Sequence, residues 1–263
     1  MPLVINDEYP EKLFREDGKR LDGRDKHELR PIKMEVGVIK NADGSAYLEW
    51  GNNKIFAAVY GPRDVHPHHL AAPDKGILRI FYRMATFSVF ERKRPAPGRR
   101  EKEISMIISD CLEPVLFLEL YPGTSFEVFI EVIDADGGTR CASTTVAALA
   151  LADAGVPMRS LVTSVACGKI DGELVVDLSG IEDKAGEADL PCAMTWFNEQ
   201  LSLLQFDGDI TLKEMNKCLD LASEALKKIY EMQLNALKEK YLAIREEVNK
   251  ATATKSNGGE EKK

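Results

Sequence analysis

The sequence of 263 residues contains no apolar run near the ~20 residues that a membrane-spanning helix needs. It shows no positively charged lead followed by an apolar stretch at its start, so no signal peptide and no membrane partner are expected. Cysteine is sparse and scattered. Cys111, Cys141, Cys167, Cys192 and Cys218 form no CxxC pair and are odd in number. That argues against a disulfide framework and against a zinc site, and it fits a reducing, cytoplasmic setting. These side chains read as small buried apolar residues. A GxxxxGK[ST] motif is absent, which disfavours a P-loop nucleotidase. Positive charge is in the minority: 35 Lys and Arg against 43 Asp and Glu give a net charge of −8. A generic nucleic-acid coat is thereby excluded, and any site for a polyanion has to be a local basic patch.

What is present is a globular balance of 44% apolar and 30% charged residues, enough for one large domain or two small ones. Residues 1–20 read as an N-terminal lead-in, 21–248 as the folded domain, and 249–263 as a disordered polar tail. Arg24 and Arg30 are expected to pair locally with acids such as Asp22 and Glu28. Ile32 to Gly61 has the spacing and turn chemistry of a three-stranded antiparallel meander. Gly61 to His69 reads as a loop carrying three of the four histidines. It lacks the partners of a metal sphere and fits a contact with RNA or a neighbouring subunit better. A strand follows at Ile77–Arg83. A helical period runs from Arg100 to Leu120, with a kink or break at Pro114. Beyond the centre come a strand, an Ala-rich helix, and a hairpin turning at Asp171-Gly172. A loop with four carboxylates spans Gly180 to Pro191, and a long C-terminal helix begins near Thr211.

Three stretches carry chemistry. Asp134 to Thr145 reads as strand, glycine turn and helix start, a geometry that binds anions through unpaired helix N–H groups. Gly137 and Gly138 allow close backbone approach, Thr139 and Ser143 offer hydroxyls, and Arg140 offers a guanidinium suited to phosphate. The simple alternative is a plain turn with Thr139 as the N-cap. Glu91 to Arg100 has five basic residues in ten, held extended by two prolines and a glycine, and suits a phosphate backbone. Glu182, Asp183, Glu187 and Asp189 form the acidic loop, where one or two carboxylates with phosphate oxygens suffice for Mg²⁺. Together these point to phosphoryl chemistry on a polyanionic substrate.

The ordered set Leu21-Asp-Gly-Arg24, Glu28-Leu-Arg-Pro31, Asn41-Ala-Asp-Gly-Ser45, Val59-Tyr-Gly-Pro62, Arg99-Arg-Glu101, Ala135-Asp-Gly-Gly-Thr-Arg140, Ala150-Leu-Ala-Asp-Ala-Gly155, Glu182-Asp183 and Gly186-Glu-Ala-Asp189 resembles the RNase PH family. Within that family it is most similar to the catalytic RNase PH-type subunits of archaeal exosomes. The resemblance covers about residues 20–245. It implies an α+β RNase PH domain (ribosomal-protein-S5-domain-2-like) of mixed sheets and packed helices. It implies phosphorolysis of RNA from the 3′ end, with inorganic phosphate as co-substrate, nucleoside diphosphates as products, and 3′ tailing in reverse. Gly138, Thr139, Arg140 and Arg100 would bind the attacking phosphate. Arg99 and Arg100 would hold the RNA backbone, and His66 and His68 would line the neck of a central pore. Asp183 and Asp189 would be the catalytic and Mg²⁺-binding pair, with Asp189 favoured for the metal and Asp183 for the acid. The implied partners are single-stranded RNA 3′ ends, a non-catalytic RNase PH-like ring subunit in a trimer of heterodimers, and RNA-binding cap subunits. Relatives often have arginine at the position of His68 and bulkier residues at Lys184-Ala185. Two alternatives stay open: a non-catalytic ring subunit, and a homohexameric tRNA-trimming RNase PH of the bacterial kind.

Overall fold

A computed structural model describes Pro10 and residues 12–257. The expected meander is present as β1 (Ile32–Val36), β2 (Gly44–Trp50) and β3 (Asn53–Asp64). β3 outlasts its expected end at Gly61. A register shift between Tyr60 and Arg63 absorbs Gly61-Pro62, and pairing resumes to Asp64. β4 (Ile77–Met84) lies at the sheet edge, parallel to β5 (Thr124–Asp134), and β5 pairs antiparallel with β3. The strand order is β1-β2-β3-β5-β4. Helix α1 (Arg99–Leu112) covers β4 with Ile104, Ile108, Cys111 and Leu112. It gives way to a 3₁₀ turn at Glu113–Val115, where Pro114 removes a backbone donor.

Helix α2 (Thr139–Asp153) is buried from Thr139 to Leu151 except at Arg140. It is sandwiched between the first sheet and a second one, which explains its alanines. Small side chains let a helix with two buried faces approach both layers. The second sheet holds β6 (Val162–Ile170), β7 (Glu173–Val176), β8 (Ala188–Thr195), β9 (Gln200–Leu204) and β10 (Asp207–Gly208). β6 lies between β7 and β8, and β9 and β10 share the far edge of β8. One apolar cluster runs through α2 and both sheets.

Three expectations need correction. The acidic stretch is not all loop: Gly180–Ala185 forms a short helix, α3, capped reciprocally by Ser179 and Glu182. The lead-in is not separate from the domain. Leu13 packs on Ile170, Val175 and Leu178, and Arg20 is fully buried. The tail is not disordered from 249. Helix α4 (Leu212–Asn257) continues into it as far as Asn257, with no glycine or proline before Gly258. Residues 258–263 and most of the first eleven lie outside the described residues. α4 packs on β6 and β1, and its start carries the expected capping box between Thr211 and Glu214.

Candidate active site

The central strand-turn-helix stretch has the expected geometry. β5 ends at Asp134 and α2 begins at Thr139. Gly137 (φ +69°) and Gly138 (φ +66°) take the left-handed conformation that glycine permits. A Cβ on Gly137 would come within 2.6 Å of the Gly180 nitrogen, so the start of α3 packs directly on this turn. Gly138, not Thr139, is the N-cap, and it supplies no side-chain acceptor. The first helical bond runs from the Ala142 N–H to the Gly138 carbonyl, which leaves the earlier N–H groups open to a ligand. The turn itself is held rigidly. Asn53 donates to the Gly137 carbonyl (2.7 Å) and accepts from the Asp136 N–H (2.6 Å). The Asp136 carboxylate accepts from the Gly180 N–H (3.0 Å) and from Asn52 (2.9 Å).

Around the start of α2, three buried polar atoms have no protein partner: Arg140 Nε, Ser143 Oγ and Asp189 Oδ1. Arg140 and Ser143 are one helical turn apart, and Asp189 comes from β8 in the second sheet. Buried polar groups are nearly always satisfied, so this cluster marks a place built for a polar ligand. Burial, and then the negative charge of Asp183, push the Asp189 carboxyl up to about 7, against the pull of Arg140 and Arg100. Asp207, paired with Asp189 across β10 and β8, raises it further. A cation or a protonated state relieves this repulsion, so the pair has the chemistry of a divalent-ion or proton site. Asp183 is exposed on α3.

Behind the site lies a buried ionic hub that sequence reasoning assigned differently. Arg30 does not pair with Glu28. It forms an ion pair with Asp177 (2.6 Å), which lies 147 residues away, and also donates to the Asp136 carbonyl. Asp177 also accepts from Arg24 (3.3 Å) and from the Trp50 indole (2.9 Å). Arg24 keeps its expected contact with Asp22 (2.6 Å). Burial alone would raise the Asp177 carboxyl, but the charge and hydrogen bonds of Arg30 outweigh it and hold it below the usual range. Glu182 has a similar role. It pairs with Arg20, which overcomes its burial and keeps its carboxyl low, so it anchors α3 rather than joining the acidic site. Glu187 is exposed and pairs with Lys169 (3.3 Å).

Arg99 and Arg100 are the first two residues of α1, exposed, with Glu101 accepting from the Gly98 N–H (2.9 Å). Arg100 acts electrostatically on both Asp189 and Tyr82, which brings it to the site. His66 and His68 are elsewhere. Their rings lie 4.6 Å apart beside the start of β5, whereas the glycine turn follows its end, roughly 30 Å of strand away. Among the described residues, no group of three or more His, Cys, Asp or Glu is arranged to hold a metal. All five cysteines are free and buried, with burial raising Cys111 and Cys218 to about 11. Sequence reasoning missed Tyr82. Its buried hydroxyl donates to Thr139 Oγ1 (3.2 Å), and as an apolar-face residue of β4 it gave no signal beyond strand alternation. Asp207, on the two-residue strand β10, was missed too.

With the geometry in place, the comparisons are consistent. The chain matches the 3′ exoribonuclease family models, domain 1 over residues 28–157 and domain 2 over 160–225. The chain belongs to this RNase PH family. It is similar to the exosome complex component Rrp41 of Thermococcus onnurineus, with 59% identity over 90% of this chain and 95% of that protein. The Rrp41 of Methanopyrus kandleri is 53% identical over 89% of this chain and 98% of its own. Among solved structures, rice Rrp46 has the same fold, with a TM-score of 0.75 and 23% identity over 83% of this chain and all of that one.

Proposed function

We propose that this chain is the catalytic subunit of an exosome, a phosphate-dependent 3′-to-5′ exoribonuclease that also adds 3′ tails in reverse. The observation that carries this reading is the convergence of unpartnered Arg140 Nε, Ser143 Oγ and Asp189 Oδ1 on the open N-terminus of α2. Gly138, Thr139 and Arg140 hold inorganic phosphate with the open N–H groups at the start of α2, a hydroxyl and a guanidinium. Arg99 and Arg100 hold the RNA backbone beside it. A phosphate oxygen attacks the terminal phosphorus, the P–O3′ bond breaks, and a nucleoside diphosphate leaves. The departing 3′ oxygen takes a proton from the acidic pair Asp183 and Asp189. Burial and the charge of Asp183 push Asp189 up to about 7, so the pair retains a proton near neutral pH. Asp183 and Asp189 would also hold Mg²⁺, which neutralises developing phosphate charge when bound.

The ring of alternating subunits, the caps and a cytoplasmic setting belong to this proposal, supported by the similarity to exosome components. The histidine pair at the far end of β5 suits a pore lining remote from the chemistry. The decisive test supplies the chain and its ring partner with single-stranded RNA, with and without phosphate and Mg²⁺. Nucleoside diphosphates should appear only when both are present. Monophosphate products, or turnover without phosphate, would reject phosphorolysis.

A further inference from the structure

The loop between β4 and α1 carries two phenylalanines that no packing explains. Phe87 is 71% and Phe90 86% exposed. Two large aromatics three positions apart, both open to water, make an apolar patch that a partner can cover. Their surroundings limit what that can be. Arg92, Lys93 and Arg94 follow at once, and Arg99 and Arg100 close the loop, in a chain with a net charge of −8. The loop is not a loose flap. The Ser88 N–H bonds the Ala85 carbonyl (3.0 Å), and the Lys93 N–H bonds the Thr86 carbonyl (3.1 Å). The Ser88 carbonyl accepts from the Ala135 N–H (2.9 Å), one residue before Asp136 of the phosphate turn. The Lys93 ammonium pairs with Glu101 in the first turn of α1 (3.6 Å). Phe87 and Phe90 therefore flank a point fastened to the edge of the reaction site.

We propose that Phe87 and Phe90 form a stacking platform for the bases next to the RNA 3′ end, with Arg92 and Arg94 following the backbone. Single-strand binding without sequence preference pairs basic side chains with aromatic faces, because every base has a π-face. A strand held for removal of one nucleotide after another needs such a grip. It must tolerate any base and keep the terminal linkage aligned with the bound phosphate. A protein partner for this patch would meet a cluster of cations beside the aromatics, whereas RNA meets both with complementary chemistry. The inference rests on the phosphorolytic reading above and concerns only how that site holds its substrate.

The test uses the full chain assembled with its ring partner. Phe90→Ala, and Phe87→Ala with it, should raise KM for single-stranded RNA about 5- to 50-fold while KM for phosphate stays fixed. Phe90→Leu should not restore the RNA KM, because area without a π-face does not stack, whereas Phe90→Trp should. The indole fluorescence of Phe90→Trp should be quenched by an RNA oligonucleotide even in the absence of phosphate. An oligonucleotide abasic near its 3′ end should bind wild type more weakly than intact RNA, and bind Phe90→Ala with no such difference. Unchanged RNA KM in active Phe87→Ala/Phe90→Ala protein overturns the platform and leaves phosphorolysis standing. Loss of the assembled ring with RNA KM unaltered assigns the patch to a protein interface instead and also overturns it. Absence of phosphate-dependent turnover in wild type would count against the parent reading, while the fluorescence and abasic measurements still judge the platform.

Discussion

Asp189 ties the stability of the fold to pH through one carboxyl group. Between its ordinary value of 3.8 and its folded value of about 7, the folded chain keeps a proton that the unfolded chain has lost. Stability from this group is therefore full below pH 4, falls through that window, and is lowest above pH 7. Asp189→Asn should abolish most turnover yet raise unfolding free energy at pH 8 by about 1–4 kcal/mol, with the gain vanishing near pH 4. Thermal melts at the two pH values check both signs, and a gain equal at pH 4 and pH 8 would contradict the assignment. Tyr82 acts on a smaller scale. Its O–H occupies a lone pair of Thr139, which leaves the threonine proton free for the phosphate proposed to bind there. Tyr82→Phe should raise KM for phosphate about 3- to 10-fold with little effect on RNA affinity. Equal loss for both substrates would indicate general loosening instead.

At the level of elements, the glycine turn is held in place by its neighbours more than by its own bonds. Asp177 joins Arg24, Arg30 and Trp50, and Arg30 reaches on to the turn. Asp177→Ala leaves two buried guanidinium groups short of a counter-charge and should cost about 3–5 kcal/mol. Denaturant unfolding measures that loss, and Asp177→Asn should recover only part of it. Arg99→Glu, at the exposed start of α1, should weaken RNA binding and reduce the salt dependence of affinity by about one released counterion or more. Much of this arrangement was legible in the sequence. The meander, the break at Pro114, the Asp171-Gly172 hairpin and the glycine turn followed from period and turn chemistry. The carboxylates of α3 could be read as acidic but not sorted, because only burial separates Glu182, paired with Arg20, from Asp183 at the site. Arg30 was misassigned for a similar reason: local charge suggested Glu28, and the true partner is remote in sequence. Helix α4 ran further than expected because low apolar content alone does not end a helix.

Over the whole molecule, a negative chain keeps a dense basic cluster, Arg92, Lys93, Arg94, Arg99 and Arg100, where substrate would arrive. RNA binding should accordingly be strongly local. Charge-reversing substitutions on α4 should leave the salt slope of RNA affinity unchanged, while those in residues 92–100 should flatten it, as titrations at two salt concentrations would reveal. The proposed site also draws on distant parts of the chain: α1, the start of α2, and the second sheet. Its supports reach back to the start, with Arg20 on Glu182 and Arg24 on Asp177 spanning 162 and 153 residues. Such long-range closures form late, since the entropy of bringing distant segments together must be met first. During synthesis, α3 cannot be secured until Glu182, more than two thirds of the way along the polypeptide, has been made and can meet Arg20. A chain that ends before Asp189 lacks the acidic pair. Nuclease activity should therefore be absent from any fragment that stops short of β8.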